Sequence, residues 1–240
     1  MASTQIRIEP PFGPTDRPRD PGVPFSARLK RWTVRLAVAL GAAVLLLVLP
    51  FFVLVRSALW LQARGMGTAW LPLAGGVAVT ALLLVAYAFV TARALNGTWS
   101  LPRYVKRVLL AVTGAFALHG VLYLSASNAK SESVRDGYRE VHPVIRMATA
   151  TLVLVDRGLV VTDATRTVED YRRMGLPRNE ASLHFVQPSG WVHAVDLRTL
   201  GRARWKNGMM AVYFWAMGFE TIRHRGTADH LHVSLPPIGA

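Results

Sequence analysis

The stretch TVRLAVALGAAVLLLVLPFFVLV, residues 33–55, decides the architecture of this chain. Apart from Arg35 it carries no charged side chain, and Trp32 extends it to 24 residues. At 1.5 Å per residue such a helix is roughly 36 Å long, enough to cross a hydrocarbon core of about 30 Å. A cleaved signal peptide is the alternative, but its apolar region is shorter and further apolar segments follow here. The sequence therefore predicts a transmembrane helix over about residues 32–55.

Two further apolar segments follow the first. Residues 69–92 read AWLPLAGGVAVTALLLVAYAFVTA, and residues 108–126 read VLLAVTGAFALHGVLYLSA. Each is long enough to span a bilayer as a helix. We therefore expect a membrane α-helical protein with three transmembrane helices over residues 32–126. Residues 1–31 are rich in Pro, Gly and Arg, without an apolar period, and are predicted to be a disordered tail.

Positive charge is concentrated in the membrane half of the chain. Residues 1–126 hold thirteen basic and three acidic residues, which is +10 of the formal net charge of +14. Nucleic-acid binding would also explain a basic chain, but this charge flanks apolar segments and does not line one face of a folded domain. The chain has no cysteine, which excludes disulfides and thiolate metal sites. We therefore predict the lipid bilayer as a partner and no nucleic acid, and the sequence indicates no particular protein partner.

The loops between the apolar segments differ in charge, and this difference predicts their orientation. The N-terminal flank holds seven basic residues and the loop at 93–107 holds four, whereas the loop at 56–68 holds two. Because the more basic side stays inside, the N-terminal tail is predicted to be cytoplasmic. Three spans then place residues 127–240 outside, which in a bacterium is the periplasmic or wall-facing side of the inner (plasma) membrane.

Residues 127–240 are enough for one small domain with mixed secondary structure. Helices are predicted over about 143–157, 167–174 and 205–217, and strands over about 158–162, 183–187, 191–197, 219–224 and 230–235. The turn residues at 188–190 predict a hairpin between two of these strands. Short connections between helices and strands favour an α+β domain. We expect Trp191, Trp205 and Trp215 to pack in its core and not to line a substrate cleft.

Histidine, aspartate and arginine recur in four short segments of this domain. The segments are Thr162–Arg166 (TDATR), Ser182–His184 (SLH), His193–Leu197 (HAVDL) and Asp229–His232 (DHLH). Zinc is bound by neutral imidazole and by carboxylate, and a catalytic zinc has three protein ligands and one position for water. Each residue alone is explained as a strand-edge histidine or a capping aspartate. The set together favours a metal site.

The register of the predicted hairpin decides which histidine joins Asp196. With a three-residue turn at 188–190, His184 lies opposite Ala194, and Ala194 shares a face with Asp196. His184 and Asp196 then point at one spot, and His193 points to the other side. A two-residue turn would favour His193 instead, so both histidines are candidate ligands.

The last segment places two histidines beside a carboxylate. His230 and His232 are two residues apart in a predicted strand and therefore share a face. Asp229 precedes them, next to the turn-like residues 225–227. A carboxylate beside a metal ligand is well placed to take a proton from metal-bound water, so Asp229 is the candidate general base.

Taken in order, these segments resemble the zinc D-Ala-D-Ala carboxypeptidases and L-Ala-D-Glu endopeptidases. That fold is shared with phage endolysins and the Hedgehog signalling domain. The family pattern has an arginine after a strand, then S-x-H, then A-x-D, then an acid three residues before a final histidine. The residues of this chain that match it, in order, are Arg166, His184, Asp196, Asp229 and His232. The resemblance covers roughly residues 143–236 and implies the metallopeptidase/Hedgehog fold for the C-terminal domain.

The resemblance also implies a role for each residue. The zinc ligands would be His184, Asp196 and His232. The catalytic residues would be Asp229, Arg166 and His230: Asp229 as the general base, Arg166 as the residue that stabilises the oxyanion or holds the substrate carboxylate, and His230 as a partner of a ligand or of the oxyanion. Eleven residues separate His184 from Asp196, more than in the family pattern, so His193 remains a rival ligand.

These expectations combine into a hypothesis about function. The chain would be a membrane-anchored zinc metallopeptidase, a hydrolase that cleaves amide bonds in peptidoglycan stem peptides as a carboxypeptidase or an endopeptidase. Stem peptides lie on the side of the membrane where the loop charges place the domain. The alternative is a non-catalytic wall-binding or partner-binding protein with a degenerate peptidase fold. A transporter or channel is disfavoured because the spans lack buried charges and internal repeats.

Overall fold

A computed structural model of the chain describes residues 25–239 except 174, 176, 178, 180, 227 and 228. Residues 1–24 of the predicted tail lie outside the described residues, and residues 25–31 are helical. The helices are α1 (Phe25–Ala63), α2 (Trp70–Asn96), α3 (Arg103–Leu122), α4 (Glu132–Gly137), α5 (Pro143–Val155), α6 (Val168–Arg173) and α7 (Arg204–Met217). The strands are β1 (Val161–Asp163), β2 (Ala194–Arg198), β3 (Glu220–His224) and β4 (His230–Ser234). The chain divides into two compact units between Leu46 and Leu47, and the second unit contains the end of α1, all later helices and the sheet.

Among the described residues, helices α1, α2 and α3 are long and apolar enough to cross a membrane, which supports the three predicted spans by length and composition. Helix α1 is longer than the predicted segment at both ends, because the flanking Arg, Leu, Ala and Gln residues also favour helix. Helix α2 ends at Gly97, whose φ of 70° is left-handed and whose N–H donates to the Arg93 carbonyl. Glycine suits this position because it has no Cβ to strain the left-handed backbone.

The strands of the C-terminal half form one antiparallel sheet in the order β1-β2-β4-β3. In the β2–β4 pair, Asp196 lies opposite His232 and Arg198 lies opposite His230. Because side chains alternate along a strand, these four residues share one face of the sheet. On the other face, the side chains of β2 and β4 are apolar and buried: Val195, Leu197, Leu231 and Val233. The predicted class, three membrane helices followed by a domain that mixes helices with a sheet, is thereby confirmed.

One buried core joins the sheet to the membrane helices. The apolar face of the sheet and helices α5 and α7 belong to the same cluster of buried side chains as parts of α1, α2 and α3. Helix α5 packs on α3 at Gly120, where a Cβ would lie 2.8 Å from Met147 Cε and 3.2 Å from Ala150 Cβ. The C-terminal domain therefore packs directly on the ends of the membrane helices.

The hairpin predicted before β2 is reduced to a single pair of bridged residues in the structure. Residues 183–187 form no strand, and a single antiparallel bridge joins Val186 to Val192. This bridge has the register expected for a three-residue turn. The strand does not continue because the carbonyl of His184 accepts a hydrogen bond from the N–H of Arg166, at 3.0 Å, outside the hairpin.

Candidate metal centre

Three predicted ligands converge on one point at the polar face of the sheet. Asp196 on β2 and His232 on β4 are cross-strand partners, and His184 reaches them from the turn before β2. His232 Nδ1 lies 2.8 Å from Asp196 Oδ1, and His184 Nε2 lies 3.3 Å from the same oxygen. One ligand atom from each residue lies within 4.8 Å of the other two, and His184 and Asp196 are buried. This group has the geometry to hold a metal ion.

The orientation of the His184 ring turns Nε2 toward the other two ligands. Its Nδ1 lies 2.7 Å from the carbonyl oxygen of Ala164. A carbonyl oxygen only accepts, so Nδ1 is the donor in this contact. Nε2, the other ring nitrogen, is directed at the Asp196 carboxylate, with its nearest oxygen at 3.3 Å. The donor set therefore fits a divalent metal such as zinc.

Ser182 and the loop around it set the position of His184. The Ser182 hydroxyl accepts a hydrogen bond from the His184 N–H at 3.3 Å, which explains the S-x-H spacing. The N–H of His193 donates to the Leu183 carbonyl at 3.0 Å and ties the same loop to the start of β2. Backbone and side-chain bonds together thus hold the imidazole of His184 against the sheet.

Asp196 is held in its charged form. Burial by itself raises the pKa of the Asp196 carboxyl, but its contacts with His184 and His232 outweigh this and hold the pKa well below its usual range. The guanidinium of Arg166 adds a hydrogen bond to Asp196 Oδ2 at 3.0 Å. A metal ligand must be deprotonated, so this environment suits the role predicted for Asp196.

Arg166 lies between two carboxylates at the edge of the site. Its Nε donates to Asp163 Oδ2 at 2.5 Å, while its terminal nitrogen bonds Asp196. Burial lowers the pKa of Arg166, but Asp163 and then Asp196 raise it above its ordinary value, so the side chain stays charged. Asp163 is Asp196's partner on β1, a contact that the sequence analysis did not include. The structure therefore brings Arg166 to the ligand group.

His230 shares the polar face with the three ligands. Its Nε2 lies 3.5 Å from Asp196 Oδ2. The ring of His224 stacks on it with centroids 4.8 Å apart, because β3 pairs with β4 so that His224 lies opposite His230. His224 was not among the predicted site residues, although the pairing of two strands of known register would have revealed it. The site thus contains a histidine pair beside the buried Asp196.

Asp229 makes its hydrogen bonds on the other side of the strand. Thr199 Oγ1 donates to its Oδ1 at 2.5 Å, and Arg223 bonds both carboxylate oxygens at 3.2 and 3.0 Å. The bond from Arg223 and then that from Thr199 lower the pKa of Asp229. Residues two apart in an extended chain point to the same side, so Asp229 is in phase with the buried Leu231. It is out of phase with His230 and His232. Its role as general base stays a prediction.

The rival ligand His193 lies outside the ligand group. Its Nε2 is 2.7 Å from the Ser189 hydroxyl, and its ring meets that of His142 edge-on with centroids 5.7 Å apart. His193 lies directly before β2, three residues from Asp196, so it is out of phase with the ligand side of that strand. Of the two alternatives left open by the hairpin register, the structure brings His184 to Asp196.

A cleft of roughly 620 Å³ opens beside the ligand group. Asp196, Asp229 and His230 line it, and so do the basic side chains of Lys130, Arg166 and Arg198. Three cations at the wall of one cleft favour a ligand with a carboxylate or another anionic group. The cleft therefore joins a candidate metal position to a candidate anion position.

Comparison with known proteins finds no relative of this chain. The chain matches no protein-family model, no curated protein is significantly similar to it, and no solved structure matches its fold. The chemistry of the site therefore has to be inferred from its own residues.

Proposed function

We propose that the chain is a membrane-anchored zinc peptidase that hydrolyses amide bonds of peptidoglycan stem peptides, with the C-terminal domain in the D-Ala-D-Ala metallopeptidase/Hedgehog fold. The observation that carries the proposal is the convergence of His184, Asp196 and His232 within 4.8 Å. These are the three residues that the resemblance to D-Ala-D-Ala carboxypeptidases selects as ligands. A metal-activated water and a polarised carbonyl are what zinc supplies when bound at such a site.

The cleft supplies the groups that orient a substrate. Arg166, Lys130 and Arg198 line it, and a stem peptide that ends in D-alanine presents a carboxylate to them. Arg166 is already committed in part to Asp163 and Asp196, so we assign it to holding the ligand Asp196 in place and to stabilising negative charge beside it. Lys130 and Arg198 are the side chains that remain to bind the terminal carboxylate.

Two side chains compete for the role of general base. The resemblance assigns it to Asp229, whose carboxylate lines the cleft but is bonded to Arg223 and Thr199. The geometry favours His230, which lies on the same face as the ligands with its Nε2 3.5 Å from Asp196 Oδ2. Either residue would take the proton from the attacking water and pass it to the leaving amine.

The proposed location follows from the loop charges of the membrane half. With the N-terminus in the cytoplasm, the domain lies on the outer side of a bacterial inner membrane, in the periplasm or facing the wall. Stem peptides are found on that side. A cytoplasmic domain, shown by a reporter fused after residue 240, would remove the substrate from the proposal.

The experiment that tests this function is hydrolysis of defined muropeptides by the full chain in detergent. We expect release of D-alanine from a pentapeptide stem, or cleavage within the stem, detected by mass spectrometry and abolished by chelation and in His184→Ala. His193→Ala is the matched control, because His193 lies outside the ligand group and should leave hydrolysis intact. Failure of the zinc-loaded chain to cleave any stem peptide would refute the peptidase proposal.

One observation favours a second candidate, a wall-binding protein without catalysis. The predicted base Asp229 is paired with Arg223, and its pKa is lowered by that contact, which makes it a weaker proton acceptor. On this alternative the zinc-loaded chain would bind muropeptides without turning them over. Binding with a measurable dissociation constant and no product after prolonged incubation would favour it.

A further inference from the structure

Helix α7 exposes an apolar face that the proposed site does not use. Trp205, Met209, Val212 and Trp215 are 64, 64, 60 and 71% exposed. Residues three and four apart lie above one another on a helix, so the four side chains form one stripe about three turns long. The opposite side of α7 is buried in the core through Met210, Phe214 and other residues. The sequence-based expectation that Trp205 and Trp215 lie in the core is therefore wrong.

The stripe is uncharged along its whole length. In α7 the basic residues Arg204 and Lys206 lie in the first turn, and residues 207–217 contain no charged side chain. A contiguous apolar patch of this kind is unusual on a surface that faces water and marks a binding surface. Core packing cannot explain the two tryptophans, since the same helix already buries its other side.

The C-terminal end of α7 is attached to the first membrane helix. Arg56 of α1 donates a hydrogen bond from its guanidinium to the Met217 carbonyl at 3.0 Å. Arg35 and Arg56 bracket 20 uncharged residues in the sequence, which as a helix match a hydrocarbon core of about 30 Å. This length fits a boundary between hydrocarbon and headgroups at Arg56, close to the C-terminal end of α7.

A second helix of the domain exposes apolar side chains near the membrane helices. Leu154 and Val155 at the end of α5 are exposed, while the same helix packs on α3 at Gly120, within the third apolar segment. Two helices of the domain thus present apolar residues next to the lipid-facing helices.

We propose that the exposed face of α7 lies in the headgroup region of the bilayer, so that the C-terminal domain is held on the membrane by this helix as well as by its spans. Tryptophan prefers the membrane interface, and Met209 and Val212 reach the acyl boundary between the two tryptophans. Arg204 and Lys206 extend their charged ends to lipid phosphates. The inference is independent of zinc and of catalysis.

This placement sets the direction in which the candidate metal centre faces. The buried face of the sheet, which carries Leu231 and Val233, packs in the same core as Phe214 of α7. Asp196 and His232 project from the opposite face. With α7 on the lipid, the ligand group faces away from the bilayer, toward polymer beyond the membrane.

The absence of cysteine from the chain makes the test direct. Single cysteines at Met209, Val212 and Trp215 of the full chain are labelled with a nitroxide and reconstituted in vesicles of phosphatidylethanolamine and phosphatidylglycerol. Collision with oxygen, which partitions into lipid, is compared with collision with a water-soluble nickel chelate. We expect the oxygen-to-nickel ratio to be several-fold higher at these positions than at Arg172, an exposed position on α6 that serves as the matched control.

Two results would overturn the proposal. Ratios at 209, 212 and 215 equal to that at 172 would place the stripe in water. Dipolar broadening at 212 that disappears on dilution with unlabelled chain would show that a second copy covers it. The labelled positions are exposed, so an unchanged helical circular dichroism spectrum serves as the control for folding.

Discussion

Asp196 and His232 face each other across neighbouring strands, with the imidazole Nδ1 2.8 Å from the carboxylate Oδ1. The pair is direct because β2 and β4 run antiparallel with these residues in register. Asp196 also contacts His184, His230 and Arg166, so one buried carboxylate contacts three imidazoles and a guanidinium. A buried charge with so many partners constrains the local structure strongly.

Replacement of Arg166 should weaken metal binding without removing a ligand. In Arg166→Lys the planar guanidinium that joins Asp163 and Asp196 is lost, and Asp196 is held less firmly. We expect zinc affinity to fall by about 10–100-fold, the usual effect of removing a residue that orients a metal ligand. Competition with a fluorescent chelator measures this, and Arg172→Lys is the exposed control. Equal affinities in the two variants would show that Arg166 does not support the ligand.

The role of Asp229 can be separated from that of its ion pair. If Asp229 is the base, Asp229→Asn should lower kcat by about 10²–10⁴-fold while zinc content stays constant. Arg223→Gln removes the partner only, and because Arg223 lowers the pKa of Asp229, its loss should move the acidic limb of the rate profile to higher pH. A full loss of activity in both variants, or in neither, would contradict the assignment and favour His230.

Helix packing in the membrane half predicts a contrast between two glycines. A Cβ at Gly76 would lie 2.6 Å from the Leu54 carbonyl oxygen and 2.9 Å from Ala58 Cβ, whereas a Cβ at Gly114 would meet nothing within 4 Å. Gly76→Ala should therefore destabilise the protein by about 1–3 kcal/mol through overpacking. Gly114→Ala, in the middle of α3, should be neutral or stabilising. Thermal unfolding midpoints of both variants in detergent check this, and equal midpoints would contradict the packing of α1 on α2.

Burial of His142 predicts a dependence of stability on pH. Burial first, then the charges of His193 and Arg146, lowers the pKa of His142 from 6.5 to about 3. At mildly acidic pH His142 therefore binds a proton in the unfolded chain but not in the folded chain. The free energy of unfolding falls as the pH drops from about 6.5 toward 3. The slope from this residue is about 1.4 kcal/mol per pH unit in that window.

The variant His142→Asn isolates this contribution. His142 caps α5 by accepting the Val144 N–H at its ring nitrogen, at 3.3 Å, and asparagine is also a good cap but does not titrate in this range. Unfolding free energies measured with chelator present, from pH 8 to pH 5, should fall more steeply in the wild type than in the variant. Equal slopes in the wild type and the variant would show that folding does not lower the pKa of His142.

Regular elements could be predicted from the sequence, because their signals are local. The period and length of residues 143–157 and 205–217 predicted helices that the structure has at Pro143–Val155 and Arg204–Met217. Strand alternation placed His230 and His232 on one face, as observed in β4. The three apolar segments form helices whose ends differ from the predicted ends by one to eight residues, since charged flanking residues do not stop a helix.

Contacts distant in sequence could not be predicted in this way. His184 comes to Asp196 from a turn and not from a strand, because the Arg166 N–H takes its carbonyl. The ion pair between Arg223 and Asp229 could not be predicted, since it joins residues on either side of a turn whose shape the sequence does not define. The exposure of Trp205 and Trp215 depends on which side of α7 packs against the core. The sequence of α7 has apolar residues on both sides, so it does not indicate which side is buried.

Zinc stoichiometry of the purified full chain tests the central claim most directly, because His184, Asp196 and His232 together define the site. Metal is measured by elemental analysis in the wild type, in His232→Ala and in His193→Ala, after removal of loosely bound ions. The account predicts one zinc per chain in the wild type and in His193→Ala, and none in His232→Ala. No zinc in the wild type, or equal zinc in all three proteins, would contradict it.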